Sequence, residues 1–306
     1  MRRGHVFFIG TALAIIVATA ILVAASLWRA ASLERQHLWE TRLSLVSLKL
    51  QGRIPHVPWS IVLSRIGPSW RRAGPPALAK IVERGPAPCS ALWETPMGRF
   101  WGTERDGRDL DWIAMEQLGW HIYDRGAAKV RSGDIVFDVG AHLGTFSRFA
   151  LDRGASKVVM FEPQPVNARC VERTFAREIA DGRATLIEAA VWSHEGTLAF
   201  AISRRATMGR VDETTRPNDV TVRATTFDFV VRELHLPRVD FVKMDIEGAE
   251  RHALAGGGEM LRRFRPRMAI CIYHTPDDRV VIPRLVLQAN SEYRQFTRGG
   301  FQAYFF

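Results

Sequence analysis

The sequence predicts an α/β protein whose mostly parallel sheet is covered by helices on both faces, preceded by an N-terminal transmembrane helix. Three observations support this prediction. Strand-like and helix-like runs alternate from about residue 134 to residue 274, which is typical of parallel sheets with crossover helices. Apolar residues make up 47% of the chain, enough for a packed core. An uncharged apolar run lies near the start of the chain.

That run extends from Val6 to Trp28 without a charged residue over 23 positions. At about 1.5 Å per residue it is long enough to cross a hydrocarbon core of about 30 Å. A cleaved signal peptide is the alternative, but its apolar region is typically about 7–15 residues long. Basic residues after the run favour a cytoplasmic catalytic domain. We therefore expect a single-pass membrane protein, anchored through residues 6–28.

The charge distribution divides the remaining chain. The net charge is +10, of which residues 1–90 carry +9 and residues 91–306 carry +1. We predict an anchor at 1–29, a juxtamembrane helix and basic proline-rich linker at 30–90, and a catalytic domain at 91–306. The near-neutral domain lacks the basic surface that nucleic-acid binding requires, so no nucleic-acid partner is expected.

Three widely separated cysteines, Cys89, Cys170 and Cys271, predict neither a metal site nor a disulfide framework. A reducing compartment is the simpler interpretation.

The elements of the domain follow in order. The segment "ALWETPMGRFWG" predicts a hairpin turning at "PMG", and "LDWIAMEQLGW" predicts a helix. Strands are then predicted at "DIVFDVG", "KVVMFE", "ATLIEAAVW", "VDFVKMD" and "RMAICIYH". Helices are predicted between them, at "GTFSRFALDRG", "NARCVERTFAREIADG", "TTFDFVVRELHL" and "AERHALAGGGEMLRRF".

A glycine-containing turn follows the first of these strands. The segment "DIVFDVGAHLGTFSRF" places the strand end at Asp138, the turn at Gly140 and Gly144, and a helix start near Thr145. In doubly wound folds, ligands bind beyond the carboxyl ends of the strands. The free N–H groups of the helix N-terminus favour an anionic group there.

The next strand ends at Glu162, 22 residues after Gly140. An acidic residue at this spacing is well placed to accept hydrogen bonds from ribose hydroxyls. A dinucleotide fold requires G-x-G-x-x-G to admit a pyrophosphate, and this turn lacks the middle glycine. S-adenosylmethionine, which has no phosphate, fits better. The predicted cofactor-binding residues are Asp138, which would attract the methionine ammonium, and Gly140, Ala141, His142, Gly144 and Glu162.

Four segments in succession resemble the blocks of the FkbM-type S-adenosylmethionine-dependent methyltransferases: "VFDVGAHLGTFS", "FEPQPVNARCVERTF", "AAVWSHEGTLAF" and "VDFVKMDIEGAE". The segments "GRFWGTERDGRDLDWIAMEQLGWHIYDRG" and "RMAICIYHTPDD" resemble its lead-in and a late block. The resemblance, which covers roughly residues 93–282, implies a Rossmann-like class I methyltransferase fold with a seven-stranded sheet. It also implies O-methyl transfer, often to sugars or polyketide-like metabolites. The aromatic end "SEYRQFTRGGFQAYFF" departs from the family pattern and leaves the acceptor undefined.

Two residues are candidates for accepting the proton of an acceptor hydroxyl. Asp245 ends the strand "VDFVKMD" at the sheet edge predicted for Asp138 and Glu162, and a carboxylate there also favours a sulfonium. His274 ends another predicted strand, with Asp277 and Asp278 beyond it, and a histidine oriented by an aspartate is the alternative base. These residues also suit a divalent metal, but no spacing motif demands one and none is predicted.

Two other functions compete with methyl transfer. A nicotinamide-dependent oxidoreductase would use a related fold, but the missing middle glycine disfavours it. An inactive membrane-tethered scaffold would tolerate loss of the glycine turn or Glu162, and both are intact. Methyl transfer to a small-molecule or lipid-linked glycan acceptor is therefore the expected function.

Overall fold

The structure is a computed structural model that describes residues 45–55, 57–64, 76–202, 209–212 and 219–306. The predicted anchor at residues 6–28 lies outside the described residues, as does most of the predicted juxtamembrane helix. Within the described ranges, no helix combines the length and the apolar character needed to cross a bilayer.

The strands are, in chain order, β1 (Lys80–Arg84), β2 (Ala91–Thr95), β3 (Gly98–Gly102), β4 (Ile135–Val139), β5 (Lys157–Phe161), β6 (Ala184–Ile187), β7 (Ala190–Val191), β8 (Gly196–Ile202), β9 (Gly209–Asp212), β10 (Val220–Thr225), β11 (Phe241–Met244), β12 (Arg267–Cys271), β13 (Gln295–Arg298) and β14 (Gln302–Phe305). The helices are α1 (Trp59–Ser64), α2 (Gly107–Ala114), α3 (Thr145–Asp152), α4 (Pro165–Thr174), α5 (Ala176–Ala180), α6 (Phe227–Glu233), α7 (Glu250–Ala255), α8 (Gly258–Phe264) and α9 (Asp278–Ala289). A π-helical turn at Met115–Gly119, here called the π turn, continues α2.

Among the described residues, seven strands form the central sheet in the order β13-β14-β12-β11-β4-β5-β6. The strands from β12 to β6 pair in parallel, and β14 and β13 close the edge antiparallel. The predicted seven-stranded, mostly parallel sheet is therefore confirmed. Strands β4 and β11 are buried along their whole length, as expected at the centre of a sheet covered on both faces.

One apolar cluster covers each face of the sheet. Side chains of α3 and α4, such as Phe146 and Val171, pack into the first cluster. Side chains of α6 to α9, such as Phe227 and Ile282, pack into the second. Because both faces are covered, the carboxyl edge of the parallel strands is the part of the sheet left for a ligand.

Some elements differ from the prediction. A second sheet, with four strands among the described residues in the order β7-β10-β8-β9, occupies much of the region between residues 190 and 225. The single strand predicted at "ATLIEAAVW" divides into β6 and β7, because β7 pairs with β10 in this second sheet. Two long helices were predicted, one through residue 175 and one through residue 257. Each is divided into two shorter helices at that point.

The described residues before position 91 contribute to the packed molecule. Leu45, Leu48 and Ile54 are buried in the first apolar cluster, and residues 45–50 are helical. Strand β1 pairs with β2, so the boundary predicted at residue 90 cuts through a three-stranded sheet. The segment expected to be a linker therefore contributes to the core.

The expectation of three unpaired cysteines is wrong. Cys89 and Cys170 form a disulfide with a Cα–Cα distance of 5.4 Å, although 81 positions separate them in sequence. Helix α4 packs against β3, which brings Cys170 beside Cys89, two residues before β2. Cys271 is a free, buried thiol. Disulfides persist in oxidising environments, so this bond counts against the reducing compartment that the cysteine count suggested.

Candidate active site

A cavity of about 330 Å³ lies at the carboxyl ends of β4, β5 and β11. Gly140, Glu162 and Asp245, which follow these three strands, all line it. The cavity is also lined by Glu116 and Gln117 of the π turn. The structure thus brings residues from three strand ends and from the segment before the sheet into one concave site.

The turn after β4 has a backbone that only some residues can adopt. Gly140 has a φ of +80°, and a side chain there would overlap the backbone carbonyl of Asp245. This glycine is therefore required by the close approach of the segment that follows β11, the neighbouring strand in the sheet. His142, with a φ of +54°, also lies in the left-handed region. Ala141 and His142 line the cavity, whereas Gly144 caps α3 and faces Phe175.

Glu162 is buried, and its carboxylate organises the turn. One oxygen accepts a hydrogen bond from the His142 backbone N–H at 2.7 Å, and the other accepts one from Gln164 N–H at 2.9 Å. Burial raises the pKa of Glu162 to about 7, against the lowering effect of these donors. The Asn167 side chain also donates to this carboxylate. A carboxylate offers about four lone-pair sites, so Glu162 can still accept a hydrogen bond from a ligand in the cavity.

Asp138 does not line the cavity, in contrast to the role predicted for it. Its fully buried carboxylate lies 3.2 Å from the Lys243 ammonium and accepts a hydrogen bond from Ser147. Lys243 stands directly opposite Asp138 in the pairing of β11 with β4. It also donates to the Gly140 carbonyl at 2.6 Å. Asp138 is thus the buried counter-ion of Lys243 and cannot directly contact a ligand ammonium.

Asp245 belongs to a chain of polar contacts that continues behind the cavity. The Tyr123 hydroxyl donates to Asp245 at 2.5 Å, and His274 Nε2 lies 3.3 Å from the other oxygen. His274 Nδ1 lies 2.9 Å from Glu250. Glu250 in turn accepts hydrogen bonds from the backbone N–H groups of Ile246 and Gly248. His274 itself is not among the residues that line the cavity.

The two candidate bases have opposite charges at neutral pH. Burial opposes ionisation of Asp245, but the close contact with His274 and the Lys243 charge outweigh it and hold the pKa of Asp245 well below its usual range. Burial also opposes protonation of His274, but Asp245 and Glu250 raise its pKa to about 10. Asp245 is therefore a stable carboxylate and His274 an imidazolium, which is already protonated and cannot accept a proton.

Asp245, Glu250 and His274 offer potential metal-ligand atoms that lie within 4.8 Å of one another. Both ring nitrogens of His274 face carboxylates, an arrangement that suits a protonated imidazole. Asp277 and Asp278 are bound to Arg251 instead.

Several residues of the cavity were not predicted from the sequence. Glu116, Gln117 and Tyr123 come from the segment before β4, and Tyr273 follows β12. The spacing of Trp112 and Glu116, four residues apart, indicates a common helix face. Nothing in the sequence shows that this face turns towards the strand ends.

Buried polar atoms without partners show that the cavity suits a polar ligand. Among the described residues that line the cavity, Gln117 Oε1 and both ring nitrogens of His142 have no hydrogen-bond partner. Burial, followed by the nearby Lys243 charge, lowers the pKa of His142 to about 4, so its neutral ring offers one donor and one acceptor. Unpaired buried polar groups cost free energy, and a ligand that hydrogen-bonds to them would offset that cost. This arrangement fits a polar nucleoside such as S-adenosylmethionine.

The fold and the site place the chain among α/β proteins that bind a ligand at the carboxyl edge of a parallel sheet. The model of the family described as "Methyltransferase FkbM domain" matches residues 138–302, more than half of the chain. The chain belongs to this family. A search of curated proteins gives no match.

Two solved structures are among those similar to this chain. One is the FkbM methyltransferase from Methylobacillus flagellatus KT, with 18% identity and a TM-score of 0.46. That match covers 67% of this chain and 56% of that protein, so this chain spans little more than half of its length. The other is fibrillarin from Aeropyrum pernix with natively bound S-adenosyl-L-methionine, with 14% identity, a TM-score of 0.37, and coverage of 58% of this chain and 68% of that one.

Proposed function

We propose that this protein is an S-adenosylmethionine-dependent methyltransferase that methylates a hydroxyl group of a sugar, a glycolipid or a secondary metabolite. The observation that carries the proposal is that Gly140, Glu162 and Asp245 line a single cavity at three adjacent strand ends. Membership of the FkbM family supports methyl transfer. A nicotinamide cofactor is less well supported, because the turn after β4 lacks the middle glycine that admits a pyrophosphate.

The charge of the cavity suits a cationic ligand. Among the described residues that line it are the carboxyl side chains of Asp109, Glu116, Glu162, Asp245 and Glu247 and the ammonium of Lys243. Lys243 is already paired with Asp138, so the remaining charge is negative. Opposite charges attract strongly in a partly buried site. S-adenosylmethionine, when bound, supplies an electrophilic methyl group on a sulfonium.

Different groups of the cavity suit different parts of this cosubstrate. We assign the ribose hydroxyls to Glu162, as its free lone pairs permit. We assign the methionine carboxylate to the N-terminus of α3, where Thr145 lines the cavity and the backbone N–H groups favour an anion. The unpaired atoms of His142 and Gln117 are the further hydrogen-bonding groups of the site.

We assign the acceptor hydroxyl to Asp245. Its carboxylate lines the cavity and is ionised, so it accepts the hydrogen bond that orients the hydroxyl and receives its proton during transfer. His274 is a positioning residue that holds Asp245 through the contact at 3.3 Å. The low pKa of Asp245 makes it a weak base, so orientation is the larger part of its contribution.

Isothermal titration calorimetry with S-adenosylmethionine and with NAD tests the cosubstrate. We expect binding of S-adenosylmethionine alone. Glu162→Gln should weaken it about 10- to 100-fold, because one acceptor oxygen for the ribose is replaced by an NH2 donor. The control is Glu172→Gln, a change on the exposed side of α4, which should leave the affinity unchanged. Binding of NAD but not of S-adenosylmethionine would refute the proposal.

The acceptor requires a separate experiment. We propose incubating the protein with methyl-labelled S-adenosylmethionine and either a glycolipid extract or a water-soluble metabolite extract. A methyl ether survives alkali and releases its label as methyl iodide in hot hydriodic acid. Such a label in one extract, strongly reduced when Asp245→Asn replaces the wild type, would support O-methylation and identify the acceptor class. Label that is transferred equally by the variant would exclude Asp245 from the transfer step.

A further inference from the structure

Glu116 is a carboxylate in the cavity to which the proposed mechanism gives no role. It lies on the π turn, and the turn has the i→i+5 hydrogen bond of a π-helix, from Trp120 N–H to the Met115 carbonyl. Single π turns within α-helices are frequent at functional sites. In the part of the chain that the structure describes, no hydrogen-bond donor or cation is paired with the Glu116 side chain.

The nearby carboxylates and the burial of Glu116 favour its pairing with a cation. Asp245 and Lys243 are the charged groups that act on it, and Asp109 lines the same cavity from α2. The Lys243 ammonium is held by Asp138 and by the Gly140 carbonyl, so it does not neutralise Glu116. Burial, and then the Asp245 charge, raise the pKa of Glu116 to about 7. A partly buried carboxylate in this state is stabilised when a cation pairs with it.

The neighbour of Glu116 indicates which part of a ligand it would meet. Gln117 is buried, at 6% exposure, and its Nε2 donates to Thr145 Oγ at 3.0 Å. The π turn therefore lies against the N-terminus of α3, where the proposed function places the methionine carboxylate. In an α-amino acid the ammonium and the carboxylate are attached to the same carbon. A carboxylate at that N-terminus therefore brings the ammonium beside the π turn, whose Glu116 lines the same cavity.

We infer that Glu116 is the counter-ion of the methionine α-ammonium, the role that the sequence suggested for Asp138. This inference rests on the proposed function, because it assumes that S-adenosylmethionine binds the cavity. The unpaired Gln117 Oε1 is a second acceptor beside it for the same ammonium. The pair would make the site selective for ligands that retain a free amino-acid group.

Calorimetry with three ligands tests the inference. S-adenosylmethionine and S-adenosylhomocysteine both carry the ammonium, and the second lacks the sulfonium charge. Methylthioadenosine lacks the whole amino-acid part. We expect Glu116→Gln to weaken the first two ligands by similar factors, about 10- to 100-fold, and to leave methylthioadenosine unchanged. The unchanged ligand also shows that the variant keeps a folded site.

The control is Glu233→Gln, an exposed glutamate at the end of α6 that does not line the cavity. It should leave all three affinities as in the wild type. Unchanged affinities in Glu116→Gln would overturn the inference. So would a loss confined to S-adenosylmethionine, which would place Glu116 at the sulfonium, or an equal loss for methylthioadenosine. A wild type that binds none of the three ligands would instead refute the proposed function.

Discussion

His274 lies between two carboxylates, and its protonation state determines how Asp245 can act. The imidazolium lies 3.3 Å from Asp245 and 2.9 Å from Glu250, so each carboxylate faces a cation. A neutral His274 would leave one of them buried without a cation, which costs free energy. The charge of this histidine thus maintains the anion at the cavity wall, and His274 is unsuitable as the base.

The raised pKa of His274 can be measured. Its folded-state value of about 10 lies above the ordinary value of 6.5, so its stabilising contribution is complete below about pH 6.5 and is lost as the pH rises through 10. We expect NMR titration to find the His274 ring protonated at pH 8, with the signal assigned by its absence in His274→Gln. Asp245→Asn should lower this pKa by about one unit or more.

Asp277→Asn is the matched control for that titration, because Asp277 contacts Arg251. This change should leave the His274 titration as in the wild type. A His274 ring that titrates near pH 6.5 in the wild type would contradict the charge assignment and restore His274 as a candidate base.

Glu162 has a structural role beside its proposed function. It accepts two backbone N–H groups in the turn after β4 and in the start of α4. Removing the carboxylate would leave those donors buried without partners, at a cost of about 1–3 kcal/mol each. This is why glutamine, which keeps the shape and one acceptor oxygen, is the substitution that tests ligand binding.

At the scale of the elements, the parallel sheet explains which site residues the sequence could predict. Gly140, Glu162 and Asp245 each follow an apolar strand, and parallel strands bring their carboxyl ends to one edge. Asp138 could not be placed in this way. Its side chain faces Lys243 across β4 and β11, and that pairing depends on a register that the sequence does not reveal.

The residues of the π turn were beyond prediction for another reason. The helical pattern of "LDWIAMEQLGW" was recognisable, and a helix is present there. Which helix face turns to the cavity depends on packing between segments that are distant in sequence. Tyr123 is such a case, because its hydroxyl contacts Asp245, a residue that lies 122 positions further along the chain. Long-range packing likewise decides that β7 pairs with β10.

The disulfide connects the three-stranded sheet of β1 to β3 with α4. Closing an 81-residue segment should raise the free energy of unfolding by about 4 kcal/mol, if the bond acts mainly on the entropy of the unfolded chain. We expect dithiothreitol to lower the urea midpoint of the wild type accordingly. The double variant Cys89→Ala/Cys170→Ala should be less stable than the oxidised wild type and insensitive to dithiothreitol.

Thiol counting gives an independent measurement of the same bond. Unfolded, unreduced protein should react with one equivalent of a thiol reagent, at Cys271, and reduced protein with three. Three equivalents without reduction would mean that the bond does not form in the protein studied.

At the scale of the whole molecule, two observations bear on where the catalytic domain resides. The proposed cosubstrate is cytosolic and the flanking charges favour a cytoplasmic domain, whereas a disulfide favours an oxidising compartment. Helix α4 begins three residues after Glu162, so the disulfide lies on the element next to the proposed ribose site. Thiol counting on protein trapped with an alkylating reagent in intact cells distinguishes the two locations.

The proposed membrane attachment depends on the uncharged run at residues 6–28. The basic stretch that follows it is a second possible source of membrane affinity, because each Lys or Arg near an anionic surface contributes about 1 kcal/mol. Deleting residues 1–28 removes the first source and keeps Leu45, Leu48 and Ile54, which pack into the core.

We expect full-length protein to float with phosphatidylcholine vesicles on a density gradient and the deletion variant to remain at the bottom. Vesicles that include phosphatidylglycerol, compared at low and high salt, measure the basic stretch separately, because salt screens that attraction. Flotation of the deletion variant with uncharged vesicles at high salt would mean that residues 6–28 are not the anchor.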